Sequence, residues 1–321
     1  MNSIPSPPEQ VWAVLGATGF IGSALEKALH DAGITVRCLK APRLSARSTD
    51  AAGILAEAEG LTTERAALAQ ALSGAGVLIN AAGLATPSDG DSAELRGANA
   101  LLPVLVAGAA DDAGVRRFIH LSSASVQGHR PFLDESTYTQ PFSAYSRSKA
   151  LGELTLAART PGPCSVVAIR ATSVQGAARK TTASLVRIAA SPLASVAGRG
   201  DAPSPVSSVD ALTSFVLAVG RHQGEVPPII LQPWEGATVS SVLRAAGGRS
   251  PLRLPSWLCR GTLKAGYAVS SLLGERLHGP LRRVEMMWFG QRQEPGWAEA
   301  TGNVPAPRVE QVLRGARSAH A

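Results

Sequence analysis

Three cysteines in 321 residues, Cys38, Cys164 and Cys259, are too few and too scattered for a disulfide framework, and their spacing matches no metal-binding cluster. A reducing compartment fits, and no metal site is expected. No apolar run reaches the roughly 18 residues that a membrane span needs. The opening "MNSIPSPPEQ" lacks the basic and apolar segments of a secretory signal. The expected location is therefore cytoplasmic, with no transmembrane segment. Acid is scarce at one end only: residues 241–321 hold 12 Lys and Arg against 5 Asp and Glu, whereas residues 1–240 hold 19 of each. That last quarter carries the whole net charge of +7. It reads either as arginine-rich solvated surface or as a basic face for a phosphorylated ligand or an anionic surface. Nucleic acid is not an expected partner, because no recognition-helix motif is present and no aromatics are interleaved with the basic residues.

What is present, a sequence 45% hydrophobic, suits a folded protein with a sizeable core. "QVWAVLG" is a short apolar run ending in glycine, and "FIGSALEKALHDAG" follows with helical spacing at Ile21, Leu25 and Leu29. The alternation continues: "ITVRCLK", "VLINAAG", "RRFIHLSS" and "SVVAIRATSV" read as strands, while "RAALAQALSGAG", "ALLPVLVAGAADDAG" and "YSRSKALGELTLAAR" read as helices. This pattern predicts an α/β fold, a doubly wound, Rossmann-like parallel sheet. Residues 1–10 form a leader and 11–175 a dinucleotide-binding domain. Residues 176–321 form mainly a smaller, irregular substrate-binding lobe, with returns to the sheet left open. Short helices are expected there near 208–220, 238–246 and 260–273.

"GATGFIG" sets Gly16, Gly19 and Gly22 between the first strand and the first helix. One glycine makes the turn, one admits a pyrophosphate to the backbone, and one packs helix on strand. The helix N-terminus supplies free N–H groups to the phosphates. The second strand runs into "CLKAPRLSAR", which offers Lys40, Arg43 and Arg47 and no carboxylate. A cation there suits a ribose 2′-phosphate, so NADP is favoured over NAD.

"AYSRSK" places Lys149 four residues after Tyr145, on the same helical face. A nearby cation stabilises phenolate and brings the tyrosine towards its working pH. In "HLSSASVQG", Ser122 and Ser123 end a predicted strand, at the edge where parallel sheets bind ligands, and a hydroxyl there can hold the substrate oxygen.

Five motifs in order, "GATGFIG", "NAAG", "LSSASVQG", "YSRSK" and "RATSVQG", make residues 11–220 similar to the extended short-chain dehydrogenase/reductase family, also called the epimerase/dehydratase family. The resemblance implies Tyr145 as catalytic acid/base, Lys149 as the residue that lowers its pKa and binds the nicotinamide ribose, and Ser123 as the group positioning the reacting oxygen. It implies cofactor contacts from Gly16, Thr18, Gly19, Phe20, Ile21, Gly22, Ala81, Ala82, Gly83, Asn99 and Ser122, alongside Lys40 and Arg43. Thr86, Ala124, Gln127, Ser173 and Arg199 are the expected substrate contacts.

The chain also departs from that pattern. "AEAEGLT" offers Glu59 and Gly60 where the family commonly has an adenine-contacting aspartate after the third strand. Ala124 and Ser125 replace the Asp-Glu pair of the dehydratases, which disfavours dehydration. The asparagine near Ser173 and the arginine near Pro203 that serve a sugar nucleotide's pyrophosphate are missing; Arg199, Arg276, Arg282 and Arg283 are the alternatives. Gln127 and Gln175 stand where the family's "VYG" tyrosines stand. Three functions remain: an NAD(P)-dependent oxidoreductase acting at a hydroxyl or carbonyl carbon, a nucleotide-sugar epimerase with tightly bound NAD(P), and a non-catalytic dinucleotide sensor. The joint presence of Ser123, Tyr145 and Lys149 argues for an enzyme with a small-molecule substrate, a nucleotide sugar being one candidate; a homodimer is left open.

Overall fold

In "VWAVL", Trp12 and Val14 point to one face and Ala13 and Leu15 to the other, and all four are buried. A strand buried on both faces belongs to a sheet covered by helices on both sides. The computed structural model has this architecture, and it describes residues 11–85, 90–272 and 277–319.

In chain order the elements are β1 (Val11–Leu15), α1 (Phe20–Asp31), β2 (Val36–Leu39), α2 (Ala51–Glu59), α3 (Thr62–Leu72) and β3 (Ala75–Asn80). Next come α4 (Ala93–Arg96), a π-helical turn (Gly97–Leu101), α5 (Leu102–Asp112), β4 (Arg117–Ser123), a 3-10 turn (Ala124–Gln127), β5 (Phe132–Leu133), α6 (Ala144–Ala158) and β6 (Ser165–Ala171). The remainder is β7 (Ser173–Gln175), α7 (Lys180–Ala190), β8 (Ser195–Ala197), β9 (Val206–Ser208), α8 (Val209–Arg221), β10 (Ile229–Leu231), α9 (Val239–Gly247), β11 (Leu252–Leu254), α10 (Ser256–Leu272), α11 (His278–Phe289), β12 (Arg292–Gln293), α12 (Trp297–Ala300) and α13 (Val309–Ser318).

The chain packs into two compact units. The first takes the chain up to Val126 together with Ala144–Arg170 and Val216–Ile230, and the second takes Gln127–Ser143, Ala171–Phe215 and Leu231–Ala321. A six-stranded parallel sheet, ordered β10-β6-β4-β3-β1-β2, forms the first. On one face Ala13, Leu15, Leu78 and Phe118 pack under Leu68 and Leu72 of α3 and Leu102, Leu105 and Val106 of α5. On the other, Trp12 reaches α8 at Gly220, where a β-carbon would lie 2.2 Å from the indole. The second unit has its own core, in which Val242, Leu243 and Ala246 of α9 meet Leu313 and Ala316 of α13 and Val186 and Ala189 of α7.

The three helices expected after residue 176 are present as α8, α9 and α10, but α7, α11 and α13 are present as well, so that region is more regular than the Gly- and Pro-rich pieces suggest. Helix α2 is also unexpected. It buries only Ile54 and contains Gly53, so its apolar periodicity is faint, and it forms because Asp50 caps it by accepting from the Gly53 N–H at 2.9 Å. "AEAEGLT" therefore spans a helix end and the start of α3, with Gly60 as the C-cap of α2, and is not a strand terminus.

Candidate functional site

The carboxyl ends of β1, β2, β3 and β4 lie side by side in the first unit, and the motif residues follow from them. After β1, Gly16 adopts φ +84°, its N–H donates to the Leu39 carbonyl at the end of β2 (3.3 Å), and a β-carbon on it would lie 2.7 Å from the Ala82 nitrogen. Only glycine brings the loop this close to the "NAAG" strand end. Gly22 is equally constrained, since its β-carbon would lie 2.0 Å from the Gly16 oxygen. Gly19 differs. It caps α1 in extended backbone with no side-chain cap, α1 has no acidic residue in its first turn, and a β-carbon on Gly19 meets only the Gly16 oxygen at 3.4 Å. The protein alone does not require glycine there. Thr18 and Gly19 form an exposed crest, with Phe20 and Ile21 half-buried behind it. An uncapped, glycine-lined helix N-terminus without nearby acid is the donor set a pyrophosphate needs.

At β3, Asn80 holds its own turn: its Oδ1 accepts from the Ala82 N–H at 3.0 Å, and its amide meets His120 Nδ1 at 3.3 Å. His120 is fully buried, and burial, reinforced by Lys149, holds its pKa well below the usual imidazole range. Ala81 donates to the Leu15 carbonyl at 2.9 Å, tying this turn to the glycine loop. At Gly83 a β-carbon would lie 2.8 Å from Asn99 Oδ1 and 3.2 Å from Lys149 Nζ, so the last residue of "NAAG" sits directly against both.

Asn99 lies in the π-helical turn, a local irregularity often found at functional sites. Its amide donates to the Leu84 carbonyl (2.9 Å) and to Ser148 Oγ (2.9 Å), its oxygen accepts from the Leu84 N–H (3.1 Å), and Ser148 Oγ donates on to the Tyr145 carbonyl (2.8 Å). Asn99 therefore fixes the turn of α6 that carries Tyr145. Close approach is permitted by Gly152, whose β-carbon would lie 2.2 Å from the Asn99 carbonyl oxygen.

Tyr145 is half-buried on the first turn of α6, and Lys149 is buried one turn later, its ammonium donating to the Leu121 carbonyl at 2.9 Å. Burial lowers the Lys149 pKa to about 8, against the opposing pull of Glu153. Glu153 is the anchor that sequence reasoning missed. It accepts from Ser122 Oγ at 2.5 Å and from the Arg170 guanidinium at 2.7 and 3.2 Å, all three groups being buried. Its place four residues beyond Lys149 is a signal on one helical face, but its partners stand on β4 and β6. Ser122 is thereby spent on helix anchoring. Ser123, half-buried beside it, shares a hydroxyl–hydroxyl bond of 2.8 Å with Ser125 and accepts from the Ser125 N–H. Ala124 is buried at the start of the 3-10 turn. Lys40 and Arg43 are exposed just beyond the Leu39 carbonyl that holds Gly16 and make no hydrogen bond or ion pair among the described residues.

The remaining expected contacts belong to the second unit, except Thr86, which with Arg276 lies outside the described residues. Both ends of the Gln127 amide are spent on Asp134, at 2.5 and 2.9 Å. Gln175 is closed in the same way on Ser173 and Thr182. Ser173 is exposed, and Arg199, also exposed, pairs with Asp201 at 3.2 Å. Buried Arg282 donates to the Gly128 carbonyl and pairs with Glu285, both at 2.8 Å, while Arg283 is exposed. No group of His, Cys, Asp and Glu among the described residues is arranged to hold a metal ion, and no described helix is long and apolar enough to cross a membrane.

The sequence profile of the NAD dependent epimerase/dehydratase family matches residues 12–220. Among curated protein sequences, no match to the chain was found. Three solved structures illustrate the likeness of fold. Human epimerase family protein SDR39U1 with NADPH is 19% identical over 96% of this chain and 99% of its own, with a TM-score of 0.64. UDP-glucuronic acid 4-epimerase from Bacillus cereus with NAD is 17% identical over 95% and 96%, with a TM-score of 0.61. A dTDP-4-dehydrorhamnose reductase from Clostridium acetobutylicum is 18% identical over 77% and 83%, with a TM-score of 0.52.

Proposed function

The chain belongs to the NAD-dependent epimerase/dehydratase family, and from that premise we propose that it is an NAD(P)-dependent oxidoreductase acting at a hydroxyl or carbonyl carbon, with Tyr145 as acid/base. The observation that carries the reading is the lysine: a buried ammonium held by the Leu121 carbonyl, against Gly83 and one helical turn from Tyr145. Lysines with their pKa lowered by burial, without a carboxylate in contact, concentrate at functional sites.

A nicotinamide dinucleotide, when bound, supplies or accepts the hydride. The glycine crest and the N-terminus of α1 would hold its phosphates, and Lys149 would hold a ribose hydroxyl. Lys40 and Arg43, just past the end of β2 and without a partner among the described residues, favour a 2′-phosphate and hence NADP. The Tyr145 hydroxyl gives a proton to the substrate oxygen on reduction and takes it on oxidation, and the Lys149 charge stabilises the phenolate left behind. Ser123 orients that oxygen and is itself oriented by Ser125. With Ala124 and Ser125 in place of a carboxylate pair, no acid and base for dehydration are provided there.

Epimerisation of a nucleotide sugar is the second reading, favoured by neighbours such as the UDP-glucuronic acid 4-epimerase. It is weakened because Arg199 and Arg282, two of the arginines available for a pyrophosphate, already have partners. The test follows NADPH and NADH absorbance with a panel of aldehydes and ketones, and sugar configuration after incubation with UDP-glucose or UDP-glucuronic acid. Tyr145→Phe should lower turnover by a factor on the order of 10² to 10⁴ with cofactor affinity nearly intact. A folded Tyr145→Phe protein that turns over at the parent rate overturns the assignment. Sugar inversion without net NAD(P)H change selects the second reading.

A further inference from the structure

Helix α10 has two apolar faces, and the fold uses one. The inner face carries Cys259, Leu263 and Ser270, all buried, and it is fastened to α11, where Gly266 admits Leu281 and the Tyr267 hydroxyl donates to Glu285 at 2.8 Å. At 100° per residue, Trp257, Leu258, Ala265, Ala268, Val269 and Leu272 fall within an arc of about 120° on the opposite side. Trp257 is 75% exposed and Leu272 87%, at the two ends of the stripe, with Leu258 and Val269 exposed between them. Leu252 on β11 and Leu193, whose neighbour Ala194 accepts from the Leu252 N–H at 2.8 Å, continue the exposed apolar surface past the helix start.

Along the chain, α10 and the segment before it are basic, the nearest acids in sequence being Glu235 before them and Glu275 beyond Leu272, and Asp201, exposed, follows the Gly198 turn that packs on Ser256. Arg260 and Lys264, both exposed, run along one edge, and residues 236–274 contain five Lys and Arg and no Asp or Glu. A second copy packed through the same stripe would set an identical basic edge beside this one. Apart from the Trp257 indole, the stripe has no hydrogen-bonding side chain to match the polar groups of a protein partner. A lipid surface supplies both an apolar interior and negative charge, and indole is suited to the boundary between them. No described helix is long and apolar enough to cross a bilayer.

We propose that α10 docks this protein on an anionic membrane surface, its exposed stripe lying in the headgroup–acyl boundary with Arg260 and Lys264 on the lipid phosphates. This inference is independent of the reaction catalysed. The full-length protein should float with vesicles of phosphatidylcholine containing about 30% phosphatidylglycerol, stay behind with phosphatidylcholine alone, and be released as salt approaches about 1 M, where the screening length falls to ~3 Å. Arg260→Gln with Lys264→Gln should weaken partitioning roughly twenty-five-fold, each lost charge counting for about fivefold. Trp257→Glu with Leu272→Glu should abolish flotation and leave the melting temperature unchanged, because both side chains are exposed. The proposal is overturned if the parent protein ignores anionic vesicles, if both vesicle types bind it equally, or if the double glutamate variant floats like the parent. It is also overturned if sedimentation shows that variant splitting a dimer, which would make a second copy the occupant.

Discussion

Replacing Gly19 by alanine separates what the fold needs from what a ligand needs. The residue has φ −80° and ψ 168°, open to any L-residue, and the added β-carbon meets one carbonyl oxygen at 3.4 Å, an ordinary contact. Two effects on stability oppose each other. Alanine lowers the entropy of the unfolded chain, which favours the variant by ~0.4–1 kcal/mol, and it is a poorer helix cap than glycine by roughly 0.5–1 kcal/mol. The melting temperature should therefore move by no more than about 3 °C. Binding should respond quite differently. On the proposed phosphate site, the methyl group would occupy the approach to the first N–H groups of α1, and one lost charge-assisted hydrogen bond, ~1.5–3 kcal/mol, should weaken affinity roughly ten- to a hundredfold. Titration calorimetry with NADP(H) and NAD(H), alongside differential scanning calorimetry, reads both quantities. Gly22→Ala is the contrast: its β-carbon falls 2.0 Å from the Gly16 oxygen, so the loop itself must move and stability should drop. A Gly19→Ala protein that melts like the parent and binds either dinucleotide as tightly would refute the assignment of this crest to phosphate.

Lys149→Met tests the buried ammonium. The folded pKa of about 8 lies below the ordinary lysine value of 10.5, so the folded chain binds fewer protons between those values and parent stability rises with pH across that window. The methionine variant should be more stable than the parent by up to about 3 kcal/mol below pH 8, with the gap closing towards pH 10.5; a gap independent of pH in denaturant titrations would count against this. Glu153→Gln leaves the Arg170 guanidinium buried without its counter-charge and should cost about 3–5 kcal/mol in urea unfolding; a loss under 1 kcal/mol would show that the pair is not an anchor. Lys40→Asp should reverse a preference for NADP(H), and the parent's preference should shrink as salt rises; equal parent affinities for NADP(H) and NAD(H) would remove the basis for it.

Local chemistry made the parallel sheet and much of the candidate site readable in the sequence. A glycine turn between an apolar run and a helix, an apolar pentapeptide, and a Tyr–Lys pair one helical turn apart are each legible from neighbours in sequence. The glycine loop follows β1 and "NAAG" follows β3, while α6 brings Lys149 to β4 at the Leu121 carbonyl. What only the tertiary structure decided rests on partners far apart in sequence. Glu153 is an ordinary polar residue of a helix until β4 and β6 bring Ser122 and Arg170 to it. Gln127 and Arg282 read as free polar groups facing a ligand, yet Asp134 and Glu285 satisfy them, because a buried amide or guanidinium without partners costs more than a protein can carry at many places. The stripe on α10 is the converse case. Its periodicity alone describes a buried helix, and only packing, which covers the Cys259–Leu263 face and leaves Trp257 and Leu272 in water, separates the face that folds the protein from the face that is left for a partner.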